Sequence, residues 1–181
     1  QNEPSKLDTI HKKLLLADNL KDKELLILIT EFRKNMLDIS IDQKQAQALV
    51  EAGERASWSG DVYFCAALGM YKISDYVLAK DLFINAYKKL KNQGAIRKAL
   101  LAKQNAITMQ GNITCENRHI RDYFSLIEEA KLVGAVDVIG NAYLNISDEF
   151  YKIGVLNCAY RFINEALKAL KGHSFTHQEN E

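Results

Sequence analysis

The only proline in this chain, Pro4, stands at its very start, and none follows through Glu181. A proline inside a helix removes a backbone donor and costs about 3 kcal/mol. Its absence after position 4 leaves almost the whole chain free to be helical. The apolar residues then recur with a helical period. Leu7, Ile10, Leu14 and Ala17 form one stripe, and Leu25, Leu28, Ile29, Phe32 and Met36 a second. Ala46, Leu49, Val50 and Gly53 form a third. Val62, Cys65, Ala66, Gly69, Met70 and Ile73 form a fourth. Each fits a 3.6-residue period and none alternates as a strand would.

Helix starts are marked by capping chemistry. Ser5 leads Asp8 by three residues and Asp42 leads Gln45 in the same way, the pattern of a capping box. Asp22, Asp75 and Asn157 stand just before apolar stripes, as N-caps do. Short polar turns are expected at Asp38 to Ile41, at Ser74-Asp75 and at Gly111-Asn112-Ile113-Thr114. Connections this short join antiparallel neighbours.

The chain also repeats itself. The stripe Ala79, Leu82, Phe83, Ala86 becomes Ala46, Leu49, Val50, Gly53 on a shift back of 33 residues. A forward shift of 41 gives Ile120, Tyr123, Phe124, Ile127, and one of 80 gives Ala159, Phe162, Ile163, Ala166. A glycine recurs after each stripe, at Gly60, Gly94, Gly134 and Gly172, with spacings of 34, 40 and 38. Small residues let two helices approach closely while their large neighbours fill the gap. One such hairpin cannot bury its apolar face alone, so hairpins stack.

Two segments carry a family likeness. One is Ala142-Tyr143-Leu144-Asn145-Ile146-Ser147, then Phe150-Tyr151-Lys152-Ile153-Gly154, then Ala159, Ile163 and Ala166. The other is Tyr63-Phe64-Cys65-Ala66-Ala67, then Tyr71, Tyr76, Ala79, Phe83 and Ala86. Both resemble tetratricopeptide (TPR) repeats, departing at Ser74, where the family has Gly, and at Lys91 and Lys171, where it often has Pro. The pairs at 95–133 and 23–58 match more loosely. The resemblance implies an all-α, TPR-like solenoid of antiparallel hairpins, about nine helices in a right-handed superhelix. It would form one domain over 1–172, with a capping helix at 5–18, helix pairs at 23–58, 60–92, 95–133 and 135–171, and a polar tail at 173–181.

Composition narrows the function. Twenty-four Lys and Arg stand against 23 Asp and Glu, a formal charge of +1. That balance supplies no global field for a nucleic acid or an anionic membrane. The basic clusters Lys12-Lys13, Lys88-Lys89-Lys91 and Arg97-Lys98 are interleaved with acids and read as solvated helix faces. The most apolar run, Leu25 to Ile29, is broken by Thr30 and Glu31, far short of the ~20 residues of a membrane span. Three cysteines without paired spacing favour a reducing compartment, so a cytoplasmic location is expected. A start at Gln1 also admits a processed extracytoplasmic domain.

No constellation for chemistry emerges, and neither a cofactor nor an enzyme activity is expected. His173 and His177 are four apart, as are Cys115 and His119, but two ligands do not close a zinc site. Cys65 and Cys158 lie in apolar stripes, where cysteine acts as a small hydrophobe. No phosphate loop or nucleophile elbow is present. Of the two sequons, Asn145-Ile146-Ser147 falls within a helix in this reading, and Asn112-Ile113-Thr114 would matter only in a eukaryotic secreted protein.

A binding groove is the remaining candidate. In a solenoid of helix pairs the first helices line the concave face. The resemblance implies a peptide or protein segment held there, with Asn and Lys side chains on its backbone. Asparagine both donates and accepts, as a peptide unit requires. Asn105 and Asn145 are 40 residues apart, like Gly94 and Gly134. Asn141, Asp148 and Lys103 lie near them, and Tyr71 and Tyr151, related by the 80-residue shift, would supply flat walls. The expectation is therefore a peptide- or protein-binding module, similar to the TPR domains of bacterial sensor kinases and transcription regulators. The alternatives are a homo-oligomerisation or scaffold module, possible as a homodimer, and a chaperone for a secreted protein.

Overall fold

The computed structural model describes the backbone of residues 3–16, 22–114 and 119–178, and the side chains of 6–16, 22–114 and 119–171. Among the described residues there are nine α-helices and no strand: α1 (Glu3–Leu16), α2 (Lys23–Leu37), α3 (Gln43–Gly53), α4 (Ser59–Lys72), α5 (Tyr76–Asn92), α6 (Ile96–Ile113), α7 (His119–Leu132), α8 (Val136–Lys152) and α9 (Leu156–Gln178). The contacts divide the chain into two compact units, Gln1–Gly94 and Ala95–Glu181.

In the first unit α1 runs antiparallel to α2, with Lys34 Nζ 2.7 Å from Asp8 and His11 Nε2 3.2 Å from Glu31. Asp42 accepts the Gln45 N–H at 2.8 Å while the Gln45 side chain accepts the Asp42 N–H, so the expected capping box forms. Asp75 likewise caps α5 through the Leu78 N–H. Alternate small and large residues bring α4 and α5 together: Ala79, Phe83 and Ala86 are buried, and Phe64 meets Phe83 edge-on at 5.4 Å. Phe32 of α2 crosses α4 at Gly69, where a Cβ would stand 2.5 Å from its ring.

In the second unit the core runs through three helices: Leu100 and Ile107 of α6, Tyr123, Leu126, Ile127 and Ala130 of α7, and Val138, Ala142 and Ile146 of α8. Helix α9 packs on α8 through Ala159 and Ala166, which are both buried. Ser147 donates to the Ala159 carbonyl at 2.9 Å across that seam.

Five turns share one geometry. Ile39, Ser74, Gly94, Gly134 and Gly154 each have a positive φ, between 54° and 76°. Around four of them the chain closes with an N–H reaching five residues back: Ser40 to Asn35, Asp75 to Met70, Ala135 to Ala130 and Val155 to Phe150, each at 2.9 or 3.0 Å. This is the Schellman closure, whose left-handed residue is best as glycine. Ser74, where three of the other turns have Gly, therefore occupies a strained position.

Several local expectations are corrected. Helix α1 begins at Glu3, so Pro4 sits in its first turn, where a missing N–H is tolerated. The Ser5 side chain lies outside the described ones. Asp22 precedes α2 but makes no capping bond; its carboxylate accepts the Trp58 indole N–H at 3.2 Å instead. Asn157 lies inside α9 rather than before it. The expected turn at Gly111 to Ile113 is the last turn of α6. Gly60 is inside α4 and Gly172 inside α9, so the glycine series mixes turn glycines with helix glycines. Helix α9 also continues to Gln178, into the expected polar tail.

The third copy of the stripe is shifted by one residue. Counted back from the turns at Gly94 and Gly134, Phe83 matches Tyr123, Ala86 matches Leu126 and Ala79 matches His119. All six are buried. The internal shift is thus 40, not 41, which leaves Phe124 exposed rather than in the core.

Candidate functional site

Helices α6 and α8 touch and run in register within the second unit. Their second residues, Arg97 and Asp137, are joined, Arg97 Nε donating to Asp137 Oδ1 at 3.0 Å. Burial pushes the Asp137 carboxyl up, but the Arg97 hydrogen bond and charge outweigh it and hold it below the usual range. Asn105 and Asn145 are the tenth residues of the same two helices, and both are half-buried. Asn141 and Asp148 lie one turn to either side of Asn145 and are exposed. These four candidates share one strip along α6 and α8.

The strip is held from beneath. The Tyr123 hydroxyl of α7 is 2.8 Å from Thr108 Oγ1 of α6 and hydrogen-bonds the Asn145 side chain. Burial, the largest cause, raises the Tyr123 phenol to about 12. One turn along, His119 Nε2 lies 3.2 Å from Glu149, without the alignment of a hydrogen bond. Lys152 completes the row, 2.8 Å from Asp148 and 2.9 Å from Glu149; hydrogen bonds to these two carboxylates raise its pKa. Asn145, Asp148, Glu149 and Lys152 thus form a row of donors and acceptors with neighbours on their side chains.

The remaining candidates lie elsewhere. Lys103 is two residues from Asn105 and so points to the other side of α6, where it pairs with Glu129 of α7. Tyr151 is about 120° round α8 from Asn145, on the side toward α9, and is well exposed. Tyr71 is exposed near the end of α4 in the first unit, in contact with Tyr76 at 6.3 Å. Tyr71 and Tyr151 do occupy equivalent places, each three residues before a left-handed turn residue.

Sequence reasoning missed Thr108, Tyr123, His119 and Glu149. The signal was present in Tyr123: a tyrosine where an equivalent stripe has Phe83 brings a hydroxyl that must find a partner when buried. Cys115 lies outside the described residues, as do the side chains of His173 and His177. Among the described residues no group of three His, Cys, Asp or Glu is placed to hold a metal, and no helix is long and apolar enough to cross a membrane.

The first unit has a separate open hollow of about 600 Å³ against α2, lined by Leu25, Ile27 and Leu28 and rimmed by Asp22, Glu24, Glu31 and Arg55. None of the predicted groove residues lines it. In comparisons with known proteins, no family model, curated protein or solved structure matches this chain.

Proposed function

We propose that this protein is a TPR-like helical-repeat module that binds an extended peptide or protein segment along the α6/α8 strip. The observation that carries the reading is the register of the two helices. Arg97 faces Asp137, and Asn105 and Asn145 recur at the same step of parallel neighbours. An extended ligand laid across them meets an amide at each helix, and each amide can both donate to and accept from its backbone. Tyr123, itself bonded to Thr108, holds the Asn145 side chain beforehand, which lowers the entropy lost on binding. In this reading the hairpins stack as a solenoid, with α2, α4, α6 and α8 as first helices. Contacts between α2 and α4 and between α6 and α8 support it within each unit. Such a module would serve as the sensing part of a signalling or regulatory protein, the context suggested by the sequence resemblance. The free thiols of Cys65 and Cys158 suit a reducing compartment, and the cytoplasm is the location this reading assigns.

Selection from a random peptide library tests it. Selected peptides are expected to bind the chain and to lose at least about tenfold in affinity to Asn105→Ala and to Asn145→Ala. Peptides that bind both variants as well as the parent chain would refute the reading.

A further inference from the structure

The second unit repeats itself with a 40-residue step, and the repeat shows what one of its faces lacks. Helix α8 lies over α6 and α7, and beneath it Tyr123, Ile127 and Ala130 are 2%, 1% and 0% exposed. Forty residues on, the matching positions of α9 are Ile163, Leu167 and Leu170, which are 40%, 46% and 40% exposed. Among the described residues no helix takes the position beside α9 that corresponds to α8. Leu156 and Tyr160 extend the same stripe, 59% and 69% exposed. Leu170 marks the edge of the stripe, leaning on Gly140 of α8, and Leu144 and Tyr151 of α8 border it one turn beyond Gly140 and Ser147, where α8 meets α9.

We propose that this face pairs two copies of the chain, α9 against α9. The equivalent site under α8 is filled by a helix, so a helix is what the α9 face fits. Leu156, Tyr160, Ile163, Leu167 and Leu170 follow one another at steps of 4, 3, 4 and 3, the spacing of a two-helix seam. A second α9 supplies that same stripe, so one surface acts as both partners of a two-fold interface. The seven apolar side chains expose on the order of 700 Å² per copy, close to the roughly 800 Å² per partner of a standard interface. Arg161, Lys168 and Lys171 flank the stripe. An antiparallel pairing keeps Lys168 and Lys171 away from their own copies and places Ile163 on the two-fold axis.

Sedimentation velocity over a micromolar concentration series is the test. A dimer is expected. In Ile163→Glu/Leu167→Glu its dissociation constant should rise at least about a hundredfold, with far-UV circular dichroism unchanged because both side chains are already part exposed. Ile163→Cys, which keeps the face apolar, should form a disulfide-linked dimer on mild oxidation. A monomer throughout, a dimer indifferent to the double substitution, assembly growing beyond the dimer, or a dimer without the Ile163→Cys cross-link would each overturn the pairing. The peptide reading stands apart: a dimer that binds no peptide leaves this pairing intact, and a peptide-binding monomer overturns it alone.

Discussion

His119 and Gly111 are fitted to one another: a Cβ on Gly111 would stand 2.8 Å from Nε2 of the His119 ring. His119 fills the place that Ala79 takes in the α5 stripe, and the larger side chain fits because α6 is bare at position 111. Gly111→Ala should therefore destabilise the protein by about 1–3 kcal/mol through overpacking, despite alanine's better helix propensity. In Gly111→Ala/His119→Ala the clash is gone, so the two changes should be strongly non-additive. Urea unfolding of the four proteins in the cycle measures this; additive effects would show that the two sites are not coupled.

The left-handed turns make a second prediction. A side chain in that conformation costs roughly 1–2 kcal/mol relative to glycine. Ser74→Gly and the β-branched Ile39→Gly should each stabilise the chain by about 1 kcal/mol, while Gly134→Ala should destabilise it by a similar amount. The single tryptophan, Trp58, lies in the same unit as Ile39 and Ser74, so its fluorescence reports both gains directly. Unchanged unfolding midpoints would remove the strain argument.

The fold was legible where one local rule dominated. The lone early proline, the 3.6-residue stripes and the Asp42–Gln45 box mark helices and a cap that depend only on nearby residues. Register was harder. Phe124 beside Tyr123 offered two aromatic residues for one slot, and only the turn at Gly134 fixes which is buried. Helix ends were also obscured where tertiary contact overrode local preference, as at Gly111, which reads as a turn but is kept helical and bare for His119. Of the site, Asn105 and Asn145 were visible through their 40-residue spacing. Lys103 and Tyr151 are close to them in sequence yet face α7 and the α9 side, a separation set by helical angle. Thr108 and Glu149 had no local signature, because their roles come from α7.

Cys65 gives a third prediction. Burial pushes its thiol up to about 11, against a smaller opposing effect of Arg33. Its thiolate fraction at neutral pH is then about a hundredfold below that of an ordinary cysteine. Alkylation followed by peptide mass spectrometry should find Cys65 modified far more slowly than an unfolded control. Equal rates would contradict its burial.

Tyr123 gives a fourth. Its folded phenol titrates near 12 rather than 10, so folding favours the neutral form. The stability it contributes is intact below pH 10 and is lost as pH rises from about 10 toward 12, by up to about 2 kcal/mol. Tyr63 is also raised to about 12, by burial and by its bond to Glu54, but it is largely open to solvent, which screens that bond and makes its share of the loss the smaller one. Tyr123→Phe should lower stability at neutral pH by about 1 kcal/mol through the lost hydrogen bonds, and should flatten part of the alkaline decline. Parallel declines in the two proteins would place Tyr123 outside the alkaline transition.

The most direct test of the binding strip is a ¹H–¹⁵N titration of the chain with a library-selected peptide, following the side-chain amides of Asn105, Asn141 and Asn145. The reading predicts that the Asn105 and Asn145 amide signals move together and saturate at one peptide per chain, with resonances of the α9 stripe unaffected. Signals that move only on α9 or in the first unit, with both asparagines unchanged, would contradict it.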